Sequence, residues 1–274
     1  MKLRLCILVS LVASLALSMS PASQSAFAQG GRGRRSQAKN QRGGPQRQAA
    51  EPVFHTDVPE RLFDVTLARP TDRSVTVVVT SQEDLEFRVE YGTASGEYPA
   101  STGLEKCNIS DATHLLLSPL EPNTRYFYRL CYRVKSGPWN DLSPEYSFHT
   151  QRLPGESFCF SVQADSHLDG PTDARVYLET LDNAADAIPD FHVDLGDTFM
   201  TDKYGRDFRR SEAQYLAQRY YFGRLCHSVP LFLTLGNHDG EAGWSFAPNE
   251  NNISIWSHRR RTQLFPNPIP DSFY

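Results

Sequence analysis

Six polar residues have the types and spacing of a metal-assisted hydrolytic site: Asp165, His167, Asp197, Asn237, His238 and Asp239. Carboxylate, imidazole and amide oxygen without thiolate suit Mn, Fe or Zn better than a soft thiophilic ion. Asp165 and His167, two positions apart, can turn onto one cation. Asp197 is the natural bridge, because a carboxylate with one oxygen on each of two cations about 3.5–4 Å apart holds the pair and screens their repulsion. The Asn237 amide oxygen would complete the second cation without adding charge. His238 is then left to carry a proton, with Asp239 orienting its ring. Gly196 and Gly236, just ahead of Asp197 and Asn237, permit sharp turns and a close approach.

Residues so distant in sequence can meet if each closes a strand of one sheet. Segments 158–163, 191–195 and 231–235 are short apolar runs, each leading into one of the polar clusters. They predict parallel strands whose carboxyl ends lie side by side, the edge at which open α/β sheets bind ligands. Between the first two, Tyr177, Leu181, Ala184 and Ile188 recur at helical spacing behind a Thr172 or Asp173 cap. A second helix over about 207–225 is expected to place Ala213, Leu216 and Tyr220 on one face. His192 and Asp194 alternate with Phe191, Val193 and Leu195, so they read as hydrogen-bonded strand residues rather than ligands. After Asp239, the stretch holding Trp244, Phe246, Trp256 and Phe265 reads as a long loop over the active edge. Arg259, Arg260 and Arg261 read as a solvated charge run.

Residues 61–150 follow a different grammar. Short alternating strands at 75–80, 86–91, 113–117, 126–134 and 145–150, with no helix between them, predict an antiparallel sandwich. Within it, Leu120, Pro122, Thr124 and Tyr126 resemble the tyrosine corner of fibronectin type III domains, in which a Tyr hydroxyl bonds back to upstream backbone. The change to alternating strands and helices puts a boundary near residue 153, with a sandwich over 58–152 and an α/β layered domain over 156–274.

At the start of the chain, Lys2 and Arg4 precede an apolar run over 5–17, and Ala26-Phe27-Ala28 supplies a cleavage site. This is the pattern of a secretory signal peptide over 1–28. The run falls short of the ~20 residues needed to span a bilayer, so no stable membrane anchor is expected. Residues 29–50 carry Arg32, Arg34, Arg35, Lys39, Arg42 and Arg47 among Gly, Gln, Ser and Ala. Such a stretch has nothing to bury and reads as a disordered basic linker, with a nucleic-acid tether as the alternative. The whole chain carries -4, and eight cations with no acid lie before residue 51, so the remainder carries -12. That balance argues against specific nucleic-acid binding by the body. In an oxidising compartment a Cys107 to Cys131 bridge is possible, and Cys159 reads as an inert strand thiol. Asn108 and Asn252 open glycosylation sequons if the host glycosylates.

Asp-Ser-His at 165–167, Gly-Asp at 196–197 and Gly-Asn-His-Asp at 236–239 resemble the ordered motifs D-x-H, G-D and G-N-H-[DE] of calcineurin-like metallophosphoesterases. With the sandwich ahead of them, the layout is similar to purple acid phosphatases and their secreted bacterial relatives. The resemblance implies an all-β fibronectin III-like sandwich followed by an α/β layered metallophosphoesterase domain. It also implies two divalent or trivalent metal ions (Fe, Mn or Zn). The expected reaction is hydrolysis of a small-molecule or nucleotide phosphate ester by hydroxide held between the metals, with His238 assisting the leaving group.

Met200 stands where purple acid phosphatases carry a metal-binding Tyr, and that subgroup has no His at the place of His167. The more general ligand arrangement is therefore expected, without tyrosinate-to-iron colour. The family's later histidines have no counterpart after His238, so the chain is expected to be the N-terminal part of a longer enzyme. The alternative is a catalytically incomplete phosphoesterase remnant whose sandwich binds a surface or polymer.

Overall fold

The computed structural model describes residues 52–134, 137–139 and 141–270. The leader at 1–28 and the basic arm at 29–50 lie outside the described residues.

The first half is all strand: β1 (Phe63–Ala68), β2 (Val75–Ser81), β3 (Leu85–Gly92), β4 (Ala100–Ser101), β5 (Glu105–Cys107), β6 (Ala112–Leu117), β7 (Arg125–Val134), β8 (Asp141–Leu142) and β9 (Tyr146–His149). One antiparallel sheet runs β1-β2-β6; the other runs β4-β3-β7-β8, with β5 added on β3 and β9 on β7. Alternation sends Leu85, Phe87 and Val89 of β3 and Tyr126, Tyr128 and Leu130 of β7 inward. They meet Val65, Leu67, Val77, Val79 and Leu117 of the facing sheet in one core, which is how a sandwich buries two half-apolar surfaces. The Tyr126 hydroxyl accepts from the Glu121 backbone N–H at 2.8 Å, so the tyrosine corner is present.

Cys107 and Cys131 are both free and buried. Cys107 sits opposite Leu85 and Cys131 opposite Arg88, on strands flanking β3 from either side. The odd spacing between Leu85 and Arg88 sends the two thiols to opposite faces, which rules out the considered bridge.

The α/β part follows as β10 (Phe160–Gln163), α1 (Ala174–Asp186), β11 (Phe191–Asp194), a 3₁₀ segment Thr201–Ser211 broken at Gly205, α2 (Glu212–Cys226), β12 (Leu231–Leu233) and α3 (Ile253–Leu264). The three strands are parallel in the order β10-β11-β12. Asp173 caps α1 by accepting from the Arg175 N–H at 3.0 Å, and Tyr177, Leu181 and Ala184 face inward. Ile188 lies past the helix end and is 63% exposed, because the chain has already turned to φ 48° there. The open face of the sheet carries a stack of Phe158, Phe160 and Phe191, with the last two rings 5.2 Å apart.

Two expectations about the helices are corrected. α2 buries Gln214, Tyr215, Ala217, Gln218, Arg219, Tyr221, Phe222, Leu225 and Cys226, while Ala213 is exposed and Leu216 and Tyr220 are only half-buried. The helix packs against α1 on one side and β1 of the sandwich on another. Leu216 and Tyr220 thus pack at the edge of the core rather than at its centre, and the Arg61 guanidinium lies 5.3 Å from the Tyr220 ring.

The stretch after Asp239 is also not all loop. Asn252 caps α3, with its Oδ1 accepting from the Ser254 N–H at 2.9 Å and its Nδ2 donating to the Ser245 and Ala247 carbonyls, each at 2.9 Å. That amide is committed to the cap, which leaves Asn252 a poor glycosylation acceptor. Trp256 and the three arginines ride on α3. Arg260 pairs with Glu212, and Arg261 is buried against Glu241; only Arg259 remains a solvated cation, facing Glu250. No helix among the described residues is long and apolar enough to cross a membrane.

Candidate metal centre

Parallel pairing brings three loops to one rim. The Asp165 N–H donates to the Gly196 carbonyl at 3.0 Å, and the His167 N–H to the Asp197 carbonyl at 3.2 Å. The His238 N–H donates to Asp197 Oδ1 at 2.8 Å. The loops touch so closely that a Cβ on Gly196 would collide with the backbone of Gly236, and one on Gly236 with the Asp197 carboxylate. Gly196 also has φ +96°, a second reason that glycine is required there.

Asp165 (φ 57°), His167 (φ 50°), Leu168 (φ 53°) and Asp197 (φ 55°) all hold left-handed backbone. Asp and His tolerate this region better than most residues. Each such residue still costs about 1–3 kcal/mol, strain that concentrates where function demands a particular geometry. The hydrogen bonds between the loops offset it.

The resulting cluster joins Asp165, His167 and Asp197, with one ligand atom from each within 4.8 Å of the others. His167 Nε2 lies 3.5 Å from Asp165 Oδ1 and 3.9 Å from Asp197 Oδ2. That nitrogen is shielded from solvent and has no hydrogen-bond partner. A buried, unsatisfied imidazole nitrogen facing two carboxylates is what a cation-binding donor set looks like without its cation. The residues therefore fit a metal ion. Asn237 stands exposed on the third loop, between Gly236 and His238.

His238 is placed beside this cluster, its ring centre 6.1 Å from that of His167. Its orienting partner is not Asp239. Asp202 does that work, with its Oδ2 2.8 Å from His238 Nδ1, while the Asp202 N–H reaches back to the His238 carbonyl at 3.3 Å. Asp239 points the other way, into the protein, and is 1% exposed. Its Oδ1 accepts from the N–H groups of Thr198 (2.8 Å) and Phe199 (2.9 Å). Its Oδ2 accepts from those of Asp197 (3.0 Å) and Gly236 (2.7 Å). One carboxylate thus sews the second loop to the third. Burial is the largest influence on it and raises its pKa above the usual carboxylate value, against the pull of the four N–H groups.

Beneath the loops lies a buried polar layer. Tyr177 donates to Gln218 Oε1 at 3.0 Å, and Gln218 Nε2 donates to Ser166 Oγ at 3.0 Å and the Thr198 carbonyl at 3.2 Å. Asp194 accepts from Gln163 Nε2 (2.8 Å), Thr198 Oγ1 (2.7 Å) and the Gly196 N–H (3.0 Å). His192 bonds Ser161 Oγ through Nδ1 at 2.8 Å, so both strand residues serve as hydrogen-bonded supports. Gln218 and Asp202 escape sequence reasoning; the one available signal for Gln218 is a polar residue where helical packing demands burial.

Asp194 carries a testable pH dependence. Burial pushes its carboxyl from 3.8 up to about 6. The folded form therefore holds this proton to higher pH than the unfolded chain. Its stabilising contribution is complete below about pH 4 and lost as pH rises through about 6. At about 1.4 kcal/mol per unit, wild type should lose about 2.4 kcal/mol relative to Asp194→Asn between pH 4 and pH 7.5. Urea unfolding of both proteins at the two pH values measures this, and parallel curves would refute it.

Neither a protein-family profile nor a curated protein matches this sequence. Among solved structures the chain is similar to PhoD, at 16% identity and a TM-score of 0.51, covering 77% of this chain and 47% of that one. It is likewise similar to the purple acid phosphatase PPD1 from seeds of yellow lupin (Lupinus luteus), at 18% identity and a TM-score of 0.51, covering 76% of this chain and 40% of that one. The chain thus spans less than half the length of either structure. At these identities the likeness is one of fold: an antiparallel β-sandwich followed by a layered α/β part, the arrangement the chain shares with PhoD and with the lupin purple acid phosphatase.

Proposed function

We propose that the protein is an exported, metal-dependent phosphoester hydrolase acting on small-molecule or nucleotide phosphate esters. The observation that carries this reading is the convergence of Asp165, His167 and Asp197 around the unsatisfied His167 Nε2. The fold likeness to two phosphoesterase structures supports it. The leader over 1–28 supports export.

Asp165 and His167 would hold one ion, Asp197 would share it with a second, and Asn237 would serve the second through its amide oxygen. Mn, Fe or Zn suits this donor set. When bound, the ion pair would supply Lewis-acid activation of water and neutralise charge on the phosphoryl oxygens. The chain's own residues do the rest. The Asp202 carboxylate fixes the His238 ring through Nδ1, leaving Nε2 as the atom that passes a proton to the departing alkoxide. Asp239 holds Asp197 and Gly236 in register from below.

Two measurements test the reading. The 274-residue chain should bind Mn²⁺ by titration calorimetry and lose that binding in Asp197→Asn while its circular dichroism stays unchanged. The encoded protein, loaded with Mn²⁺, should hydrolyse an aryl phosphate mono- or diester, and Asp197→Asn should abolish turnover. Mn²⁺ binding or hydrolysis that survives this substitution would sink the assignment.

A further inference from the structure

His167 presents two nitrogens to two different environments. Nε2 faces Asp165 and Asp197. Nδ1 faces a third carboxylate, with Asp169 Oδ2 at 3.8 Å. Asp169 is itself held in three ways: its Oδ1 accepts from Thr172 Oγ1 at 3.2 Å, its carbonyl accepts from the Thr172 N–H at 2.8 Å, and its backbone forms an antiparallel bridge with Phe54. The His55 N–H donates to the Leu168 carbonyl at 2.7 Å in the same bridge. Phe54 in turn packs on Tyr204, with rings 5.4 Å apart. The segment around Phe54 therefore braces the loop that carries Asp165, His167 and Asp169.

We propose that Asp169 is a positioning residue for the metal centre, biasing His167 toward the tautomer that carries its proton on Nδ1 and so presents the Nε2 lone pair toward Asp165 and Asp197. This rests on the metal-centre reading above. A neutral imidazole has one donor nitrogen and one acceptor nitrogen, and the group beside one determines what the other can do. A carboxylate beside Nδ1 attracts the proton there by charge alone, even at a separation slightly beyond a hydrogen bond. The second nitrogen is then left as the acceptor a cation needs, the arrangement by which outer carboxylates tune metal-binding histidines. Asp165 and Asp197 alone would pull the proton to Nε2, the wrong end. Asp169 opposes them from the far side of the ring.

Asp169→Asn is the informative substitution, because it keeps an oxygen for Thr172 while removing the charge. It should weaken Mn²⁺ binding about 10- to 100-fold by titration calorimetry. In the metal-free protein labelled with ¹⁵N-histidine, the share of the His167 Nε2–H tautomer should rise relative to wild type. A His167→Gln spectrum identifies the His167 resonances.

Thr172→Val removes the tether but leaves the charge, so it should retain the wild-type tautomer and most of the affinity. If Asp169→Asn binds Mn²⁺ like wild type, if it leaves the tautomer unchanged, or if Thr172→Val reproduces its losses, the proposal is overturned. Wild type that binds no Mn²⁺ would refute the metal centre instead, while the tautomer of the metal-free protein would still decide the role of Asp169.

Discussion

Asp239→Ala should unfold about 4 kcal/mol more easily than wild type and should lose Mn²⁺ binding along with that stability. The side chain touches neither Asp165 nor His167 by any hydrogen bond among the described residues; its four bonds go to backbone N–H groups at 197, 198, 199 and 236. Removing it leaves four donors without partners. At about 1 kcal/mol each, the low end of the range, the sum reaches about 4 kcal/mol. Asp197 and Gly236 would then be free to separate, and the left-handed backbone at Asp197 would relax.

Asp239→Asn tests the argument more finely. It preserves volume but turns one oxygen into a donor facing two N–H groups, so it should cost about half as much by the same accounting. Urea unfolding and calorimetric Mn²⁺ titration of both variants are the measurements. A variant with wild-type stability and affinity would show that the loops hold together without this carboxylate.

The second large effect is expected at Arg219, far from the metal loops. Arg219 is 0% exposed, and all five of its N–H donors are used. Nε donates to Thr80 Oγ1 (3.2 Å), and the terminal nitrogens donate to Thr66 Oγ1 and to the carbonyls of Leu264 (2.9 Å), Asp64 (3.3 Å) and Val78 (2.8 Å). These acceptors belong to β1, β2 and the end of α3, while Arg219 itself sits on α2. One guanidinium therefore welds the sandwich to the α/β part. Burial pulls its pKa down to about 10, still high enough to keep it charged near neutral pH.

Replacing a buried ion by an apolar residue is sometimes neutral, but only when its partners are replaced too. Here they are backbone carbonyls and hydroxyls that stay behind unsatisfied. Arg219→Met should cost about 3–5 kcal/mol and lower the melting temperature by about 10 °C for a body of this size. Calorimetric melting checks it, and an unchanged melting temperature would show the weld to be dispensable. Arg219→Lys should rescue little, because a single ammonium cannot reach acceptors spread over three elements.

Local regularities carried much of the fold into the sequence. Period-two alternation in β3 and β7, the turn residues between strands and the tyrosine corner at Tyr126 are short-range features, and each has the structure expected of it. The apolar strands ending in Asp-Ser-His, Gly-Asp and Gly-Asn-His-Asp are equally local, and parallel pairing carries them to one rim. Periodicity found only the edge of the inner surface of α2: Leu216 and Tyr220 pack at the margin of the core, Ala213 is exposed, and the deeper positions hold Gln214, Gln218 and Arg219 among the apolar residues. A helix packed on several sides buries Gln and Arg as readily as Leu, so hydropathy no longer marks its inner surface.

Sequence by itself determined which residue types can meet a cation and at which strand ends they stand, because strand identity and ligand chemistry are properties of a few consecutive residues. Only the tertiary structure decided how the other carboxylates divide the work. Asp239 adjoins His238 in sequence yet turns inward to the backbone of a loop some forty residues away, while Asp202 crosses from the 3₁₀ segment to take the ring. Asp169 faces the other nitrogen of His167 because the bridge to Phe54 holds it there. Asp239 answers backbone N–H groups left without partners when the second and third loops close together, and Asp202 and Asp169 meet ring nitrogens; these demands exist only once the sheet has brought the loops into contact.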